Sequence, residues 1–199
     1  MSYAAEWDAE HIKREMLSKP LEPFETFFSA FKGGSRPLSI LDIGCGAGTN
    51  TLWLARQGHR VFGFDSSAAA ISRLLSVLGG ERFQFVPSVV IADVTKPWPY
   101  CDHSFDIAFE VRVFENLDFD EATFAYEQTA RKLRHDGIFF CLTASEHRSD
   151  DYTTCGKVRK SSDMDLHKWL TKCGLQLIDK PKIVFAGTLQ DWCLVAKRV

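Results

Sequence analysis

Short apolar runs alternate along the chain with segments whose apolar residues recur at helical spacing. Leu38 to Ile43 forms the first β-like run, after the breaker-rich stretch GGSRP. A short helix is expected around Thr51 to Gln57, with Gly58 placed to end it in a left-handed cap. Residues 60 to 64, RVFGF, give a second strand. Ile71, Leu74, Leu75 and Leu78 then keep the i, i+3, i+4, i+7 spacing of a helix face packed on a sheet, and Gly79 and Gly80 stop it. FQFVPSVVIAD supplies one or two further strands, with Pro87 implying an interruption or an edge position. Past the loop KPWPYCDHS come the strand FDIAFEV, a helix over residues 119 to 133, and the strand GIFFCLTAS. Asp118 and Glu121 have the spacing of a capping pair at that helix's start. RKLRH puts positive charge at its far end, where the helix dipole favours it. A last helix, from about Asp163 to Cys173 and stopped by Gly174, precedes two final β runs, LQLID and DWCLVAKR. This alternation predicts an α/β protein with a mostly parallel sheet.

Residues 1 to 36 stand apart as an N-terminal helical cap, with residues 37 to 199 as the main domain. Two helical patterns occupy the cap. The second carries Phe24, Phe27, Phe28 and Phe31, a stripe expected to pack on the sheet's flank as core. The first carries Tyr3, Trp7 and His11 and is set off from the second by Pro20 and Pro23.

Composition narrows the class. The 199 residues include 24 Lys plus Arg and 26 Asp plus Glu, for a formal net charge of −2, which argues against a protein that lives on nucleic-acid phosphates. No apolar run approaches the ~20 residues of a membrane span. The start, MSYAAEWDAEHIKREM, lacks the apolar stretch of a signal peptide, so a soluble, cytoplasmic protein is expected, with no membrane partner. The six cysteines Cys45, Cys101, Cys141, Cys155, Cys173 and Cys193 show no zinc or redox spacing; they read as reduced thiols, and no metal is expected.

The chemistry concentrates in LSILDIGCGAGTNTLWLARQGHRVFGFDSS. A strand runs into Gly44, Gly46 and Gly48, then a helix, then a second strand ending at Asp65. Glycines allow a tight turn and let a ligand lie against bare backbone. A carboxylate at the end of the second strand can accept from both hydroxyls of a ribose. Together these parts point to a nucleoside-containing cofactor. A dinucleotide fingerprint would place the third glycine one residue later than Gly48. Asp42, two residues before the first glycine, suits a ligand amino group better than a pyrophosphate.

LDIGCGAGTNTLWLARQGHRVFGFDSS resembles the glycine-rich first motif and acidic second motif of class I S-adenosylmethionine-dependent methyltransferases. Asp65-Ser-Ser67-Ala-Ala-Ala70-Ile71 is similar to the family's D-x-S-x-x-A-I pattern, and IADVTKPWPYCDHSFDIAFEVRVFENL to its third and fourth motifs. The resemblance covers residues 38 to 145. It implies a doubly wound, seven-stranded, mostly parallel sheet of Rossmann-like type and S-adenosyl-L-methionine as cofactor. Asp42 would orient the methionine amino group; Gly44, Cys45 and Gly46 would line the methionine with backbone. Asp65 would bind the ribose with Ser66 beside the adenine, and Asp93 and Val94 would meet the adenine. Glu110 and Val111 would lie beside the sulfonium. The Pro-Pro-Tyr signature of base-amino and glutamine methylases is absent after the fourth strand, as is a Pro-Cys nucleophile.

Acceptor residues should gather at the carboxyl ends of the strands. The candidates are Glu110 and His147 for catalysis and Arg112 for the substrate; a solvated loop histidine is the ordinary alternative for His147. The basic clusters are short, so nucleic acid is an unpromising partner and a small-molecule acceptor is favoured; RKLRH is explained as a helix C-terminus, while KVRK, in the insert after the fifth strand, stays open as a substrate contact. A protein or RNA acceptor, or cofactor binding without catalysis, stays open. Residues 1 to 18 are read either as a lid whose Tyr3 and Trp7 wall the site or as a permanently docked helix.

Overall fold

The computed structural model describes residues 3–13, 17–30, 36–149, 152–153, 156–186 and 189–199. Phe31 and Cys155 lie outside the described residues, as do most of the GGSRP stretch and the side chain of Tyr3. The central strands are β1 (Ser39–Ile43), β2 (Arg60–Asp65), β3 (Ser88–Ile91), β4 (Phe105–Val111) and β5 (Leu133–Ala144). A two-strand hairpin, β6 (Tyr152–Thr153) with β7 (Gly156–Lys157), follows, and then β8 (Leu175–Leu177), β9 (Lys182–Ala186) and β10 (Leu189–Arg198). The helices are α1 (Tyr3–Lys13), α2 (Glu22–Ala30), α3 (Thr49–Arg56), α4 (Ala68–Gly80), α5 (Phe119–Lys132) and α6 (Asp163–Lys172).

The sheet runs β3-β2-β1-β4-β5-β10-β8, with β9 also paired to β10. Strands β1 to β5 pair in parallel, and β10 lies antiparallel to β5. β9 pairs with Leu189–Cys193 and β8 with Ala196–Arg198, so two short strands share the outer flank of β10. Seven positions across the sheet therefore hold eight strands. β9 escaped the sequence reading because KIVFA shows little alternation: Lys182, Ile183 and Phe185 are all exposed.

Strand period two sorts side chains onto two faces. Leu41, Ile43, Ala108, Phe139 and Cys141 join the core under α5 and α6. Their neighbours Ile40, Ile107, Phe109, Phe140 and Leu142 join a second core with Phe24, Phe28 and Leu54. The phenylalanine stripe is thus core: Phe24 is fully buried, its ring 4.8 Å from that of Phe109 and 5.7 Å from that of Phe140. The punctuation holds as well. Gly58 and Gly174 adopt φ of 83° and 77°, and Asp118 with Glu121 forms a full capping box. RKLRH departs from expectation: the helix ends at Lys132 and Leu133 already begins β5. Its charges are used locally, Arg131 and Lys132 on Asp102 at 2.9 and 2.8 Å and Arg134 on Asp106 at 2.7 Å.

Candidate functional site

A pocket opens at the carboxyl ends of β1, β2 and β4, where open parallel sheets bind ligands. Its floor is the glycine turn between β1 and α3. Gly44 has φ 68°, and a Cβ there would stand 2.5 Å from Cγ2 of Val113. Gly46, at φ 53°, lies under the imidazole of His11, 3.1 Å from where its Cβ would be. Side chains at these two positions would meet backbone strain and a neighbour at once.

Asp65 braces the turn. Its Oδ2 accepts from the Gly46 N–H and its Oδ1 from the Ser67 N–H, both at 2.8 Å. Lone pairs remain on both oxygens where the carboxylate faces the pocket. Asp42 is nearly fully buried on β1 and accepts from the Thr51 hydroxyl at 2.6 Å. Burial pushes its carboxyl up to about 7, against the lowering effect of the Thr51 bond. Ser66, Ala92 and Val94 form the wall beyond Asp65.

Helix α1 roofs the pocket with Trp7 and His11. Asp8 accepts from the Ser67 hydroxyl at 2.7 Å and the Ala69 N–H at 3.0 Å, so it sits on the N-terminus of α4, where the dipole favours a carboxylate. Those bonds, the Ala69 N–H foremost, hold the Asp8 carboxyl below its usual range. Arg73 of α4 donates to the His11 carbonyl at 2.7 Å. The Leu17 carbonyl accepts from the Thr49 hydroxyl at 3.2 Å, drawing the chain before α2 over the same opening. Leu17, Pro20 and Leu21 make that wall apolar.

The loop after β4 completes the pocket with Val111, Arg112, Val113 and Asn116. Arg112 has φ 60° and pairs with Asp191 of β10 at 2.7 Å. Behind it, buried Arg148 meets Glu115 at 2.8 Å and Asp191 at 3.4 Å.

Asp42, Gly44, Cys45, Gly46, Asp65, Ser66, Val94, Val111, Trp7 and Arg112 all reach the pocket wall. Three candidates do not. Glu110 shares the α5 face of the sheet with Ala108, so strand alternation turns it away from the pocket that Val111 lines. The Asp93 carboxylate caps its own turn, accepting from the Thr95 N–H at 2.8 Å and hydroxyl at 2.9 Å. His147 is about half exposed beside Glu146, its ring 6.4 Å from that of Trp192 and outside the pocket. Arg73 and Asn116 were missed: one is a polar residue beside an apolar helix stripe, the other a short turn residue, and neither spacing is distinctive.

Among the described residues no helix is long and apolar enough to cross a membrane, and no group of His, Cys, Asp and Glu could hold a metal ion. Residues 41–141 match the family described as "Methyltransferase domain". The ribosomal RNA small subunit methyltransferase C of Alcanivorax borkumensis is 35% identical over 77 residues, 34% of this chain and 23% of that protein, so this chain spans about a quarter of that relative. A SAM-dependent methyltransferase from Methanosarcina mazei superposes with TM-score 0.74 at 16% identity, over 87% of this chain and 97% of that one. The 1,6-didemethyltoxoflavin-N1-methyltransferase of Burkholderia thailandensis, solved with its acceptor and S-adenosylhomocysteine, gives 0.73 at 22% identity over 89% and 77%.

Proposed function

This chain belongs to the methyltransferase-domain family, with S-adenosylmethionine as its cofactor, and from that premise we propose that it transfers the methyl group to a small-molecule acceptor. The residues fit the cofactor. The left-handed glycines leave bare backbone on the pocket floor, and Asp65 and Asp42 line the same pocket with two carboxyl groups able to accept from hydroxyls and an amino group. In this reading Asp65 takes the ribose hydroxyls, Asp42 the methionine amino group and Val94 the adenine face. When bound, S-adenosylmethionine supplies an electrophilic methyl group on a sulfonium leaving group. The protein's own task is then alignment and exclusion of water. Val111 and Val113 wall the acceptor side, and Trp7 and His11 close it from above.

The observation that carries the small-molecule reading is the roof. Helix α1 lies over the glycine turn, and Leu17, Pro20 and Leu21 line the same pocket, which supports an acceptor small enough to reach the cofactor beside them. Several side chains of the two basic clusters already have partners within the fold. RKLRH is committed to Asp102 and Asp106, and Arg159 of KVRK points inward, donating to the carbonyls of Phe114 and Leu117 at 2.7 and 3.0 Å.

The test is methyl transfer from S-adenosylmethionine carrying a labelled methyl group to three separate pools: a metabolite extract, total RNA and total protein. Label in the fraction that passes a small-pore filter is the expected result. Label retained in RNA or protein alone overturns the small-molecule reading, and no S-adenosylhomocysteine from any pool overturns the catalytic one.

A further inference from the structure

Glu110 is fully buried, and its two oxygens are divided between the loop that follows its own strand and strand β5. Oε2 accepts from the Val113 N–H at 2.8 Å and the Phe114 N–H at 3.3 Å, while Oε1 accepts from the Cys141 thiol at 2.6 Å. Val113 in turn packs on Gly44, filling the space a side chain there would need. Asn116 supports the same turn by donating to the carbonyls of Arg112 at 2.9 Å and Val113 at 3.3 Å. Arg112, between these anchors, is held at positive φ and donates its N–H to the Leu142 carbonyl at 2.7 Å. A single carboxylate on the far side of the sheet thus fixes a loop that walls the pocket. A non-glycine residue at positive φ persists only where its surroundings over-determine it.

We infer that Glu110 is a positioning residue for methyl transfer: it holds Val113 against Gly44 and so sets the width of the pocket between the glycine turn and the acceptor-side loop. Its reach is indirect, through two backbone N–H groups, and it touches neither cofactor nor acceptor. The groups facing it are the Cys141 thiol from β5, the Tyr126 phenol from α5 and Glu115 from the turn Phe114–Asn116, the last already paired with Arg148. Burial in this company pushes the Glu110 carboxyl up to about 7, so its charge changes near neutral pH. The ionised form accepts from both N–H groups most strongly, and protonation loosens that hold.

Two measurements on the whole protein test this, and neither requires the acceptor. In 15N-labelled protein the amide resonances of Val113 and Phe114 should move with a midpoint near pH 7, and the movement should vanish in Glu110→Gln. Titration of Glu115 would survive that substitution, so the variant separates the two acids. S-adenosylhomocysteine, used as the binding probe, should bind Glu110→Ala roughly tenfold more weakly, while Glu110→Gln, which keeps a carbonyl for the Val113 N–H, should retain most of the affinity. Should Glu110→Ala fail to fold, the wild-type and Glu110→Gln titrations carry the decision. Amides that ignore pH in the wild type overturn the inference, as does a Gln variant that binds no better than the Ala variant.

Discussion

At one end of the pocket the wall is made of backbone. Gly44 and Gly46 bend the chain through left-handed conformations within three residues, and Asp65 ties the turn down from the next strand. At the other end the wall is held by buried charge. Arg112 reaches Asp191 across 79 positions of sequence, Arg148 reaches Glu115 across 33, and Cys141 reaches Glu110 across 31. The first end takes its shape from a fixed local spacing of residue types. The second end is held by a set of long-range pairs with no local pattern.

The buried pairs make the largest prediction. Arg148 is almost fully buried between two carboxylates, one of them wholly inaccessible. Removing it in Arg148→Ala takes the ion-pair partner from buried Glu115 and leaves Asp191 with Arg112 alone, which costs about 3–5 kcal/mol. Urea unfolding should report that loss. A companion Glu115→Gln should recover part of it, because the stranded charge is then gone. A loss below about 1 kcal/mol would mean that solvent reaches these groups, and the contrast between the two ends would collapse.

Asp65 sharpens the contrast from the backbone end. Asp65→Ala removes a prospective ribose acceptor and also the partner of the Gly46 and Ser67 N–H groups. Affinity for S-adenosylhomocysteine, measured by calorimetry, should drop at least about tenfold. Melting temperature should fall too, since two backbone donors lose their partner; Asp65→Asn, which keeps one acceptor oxygen, should lie between. Unchanged affinity would show that another acid holds the nucleoside.

The sequence made the backbone end readable for a physical reason. A tight turn demands glycine, and a strand-end acid follows at a distance set by the helix between them, so the turn at Gly44 and Gly46 and the acid Asp65 at the pocket wall were legible in the spacing. The helix caps at Asp118 and Gly58 were legible on the same local grounds. Glu110 was not, because its side-chain direction depends on which face of β4 the neighbouring strands bury, and one step of strand period reverses the answer. His147 was misplaced for a related reason: following a central strand put it at the right edge of the sheet, but β5 continues past the pocket toward Trp192. Asp93 commits one oxygen, Oδ1, to its own turn, a local cap that its place after β3 does not reveal.

The remaining expected effect concerns pH and compares one buried acid from each end. Asp42 and Glu110 are both pushed up to about 7, mainly by burial, from ordinary values of 3.8 and 4.5. Between about pH 4 and pH 7 the folded chain therefore keeps protons that the unfolded chain has released. Stability should decline as pH rises through that window and level off above it. Below it the surface pairs take over with the opposite sign, as with Asp102, held at about 2 by Lys132 and Arg131, whose contribution is lost only as pH falls through its own value. Asp42→Asn and Glu110→Gln should each flatten the decline, and the double variant most. Melting temperature followed across pH decides the point, and a wild-type curve that rises from pH 4 to 7 would show that both carboxylates reach water or a cation in the folded protein.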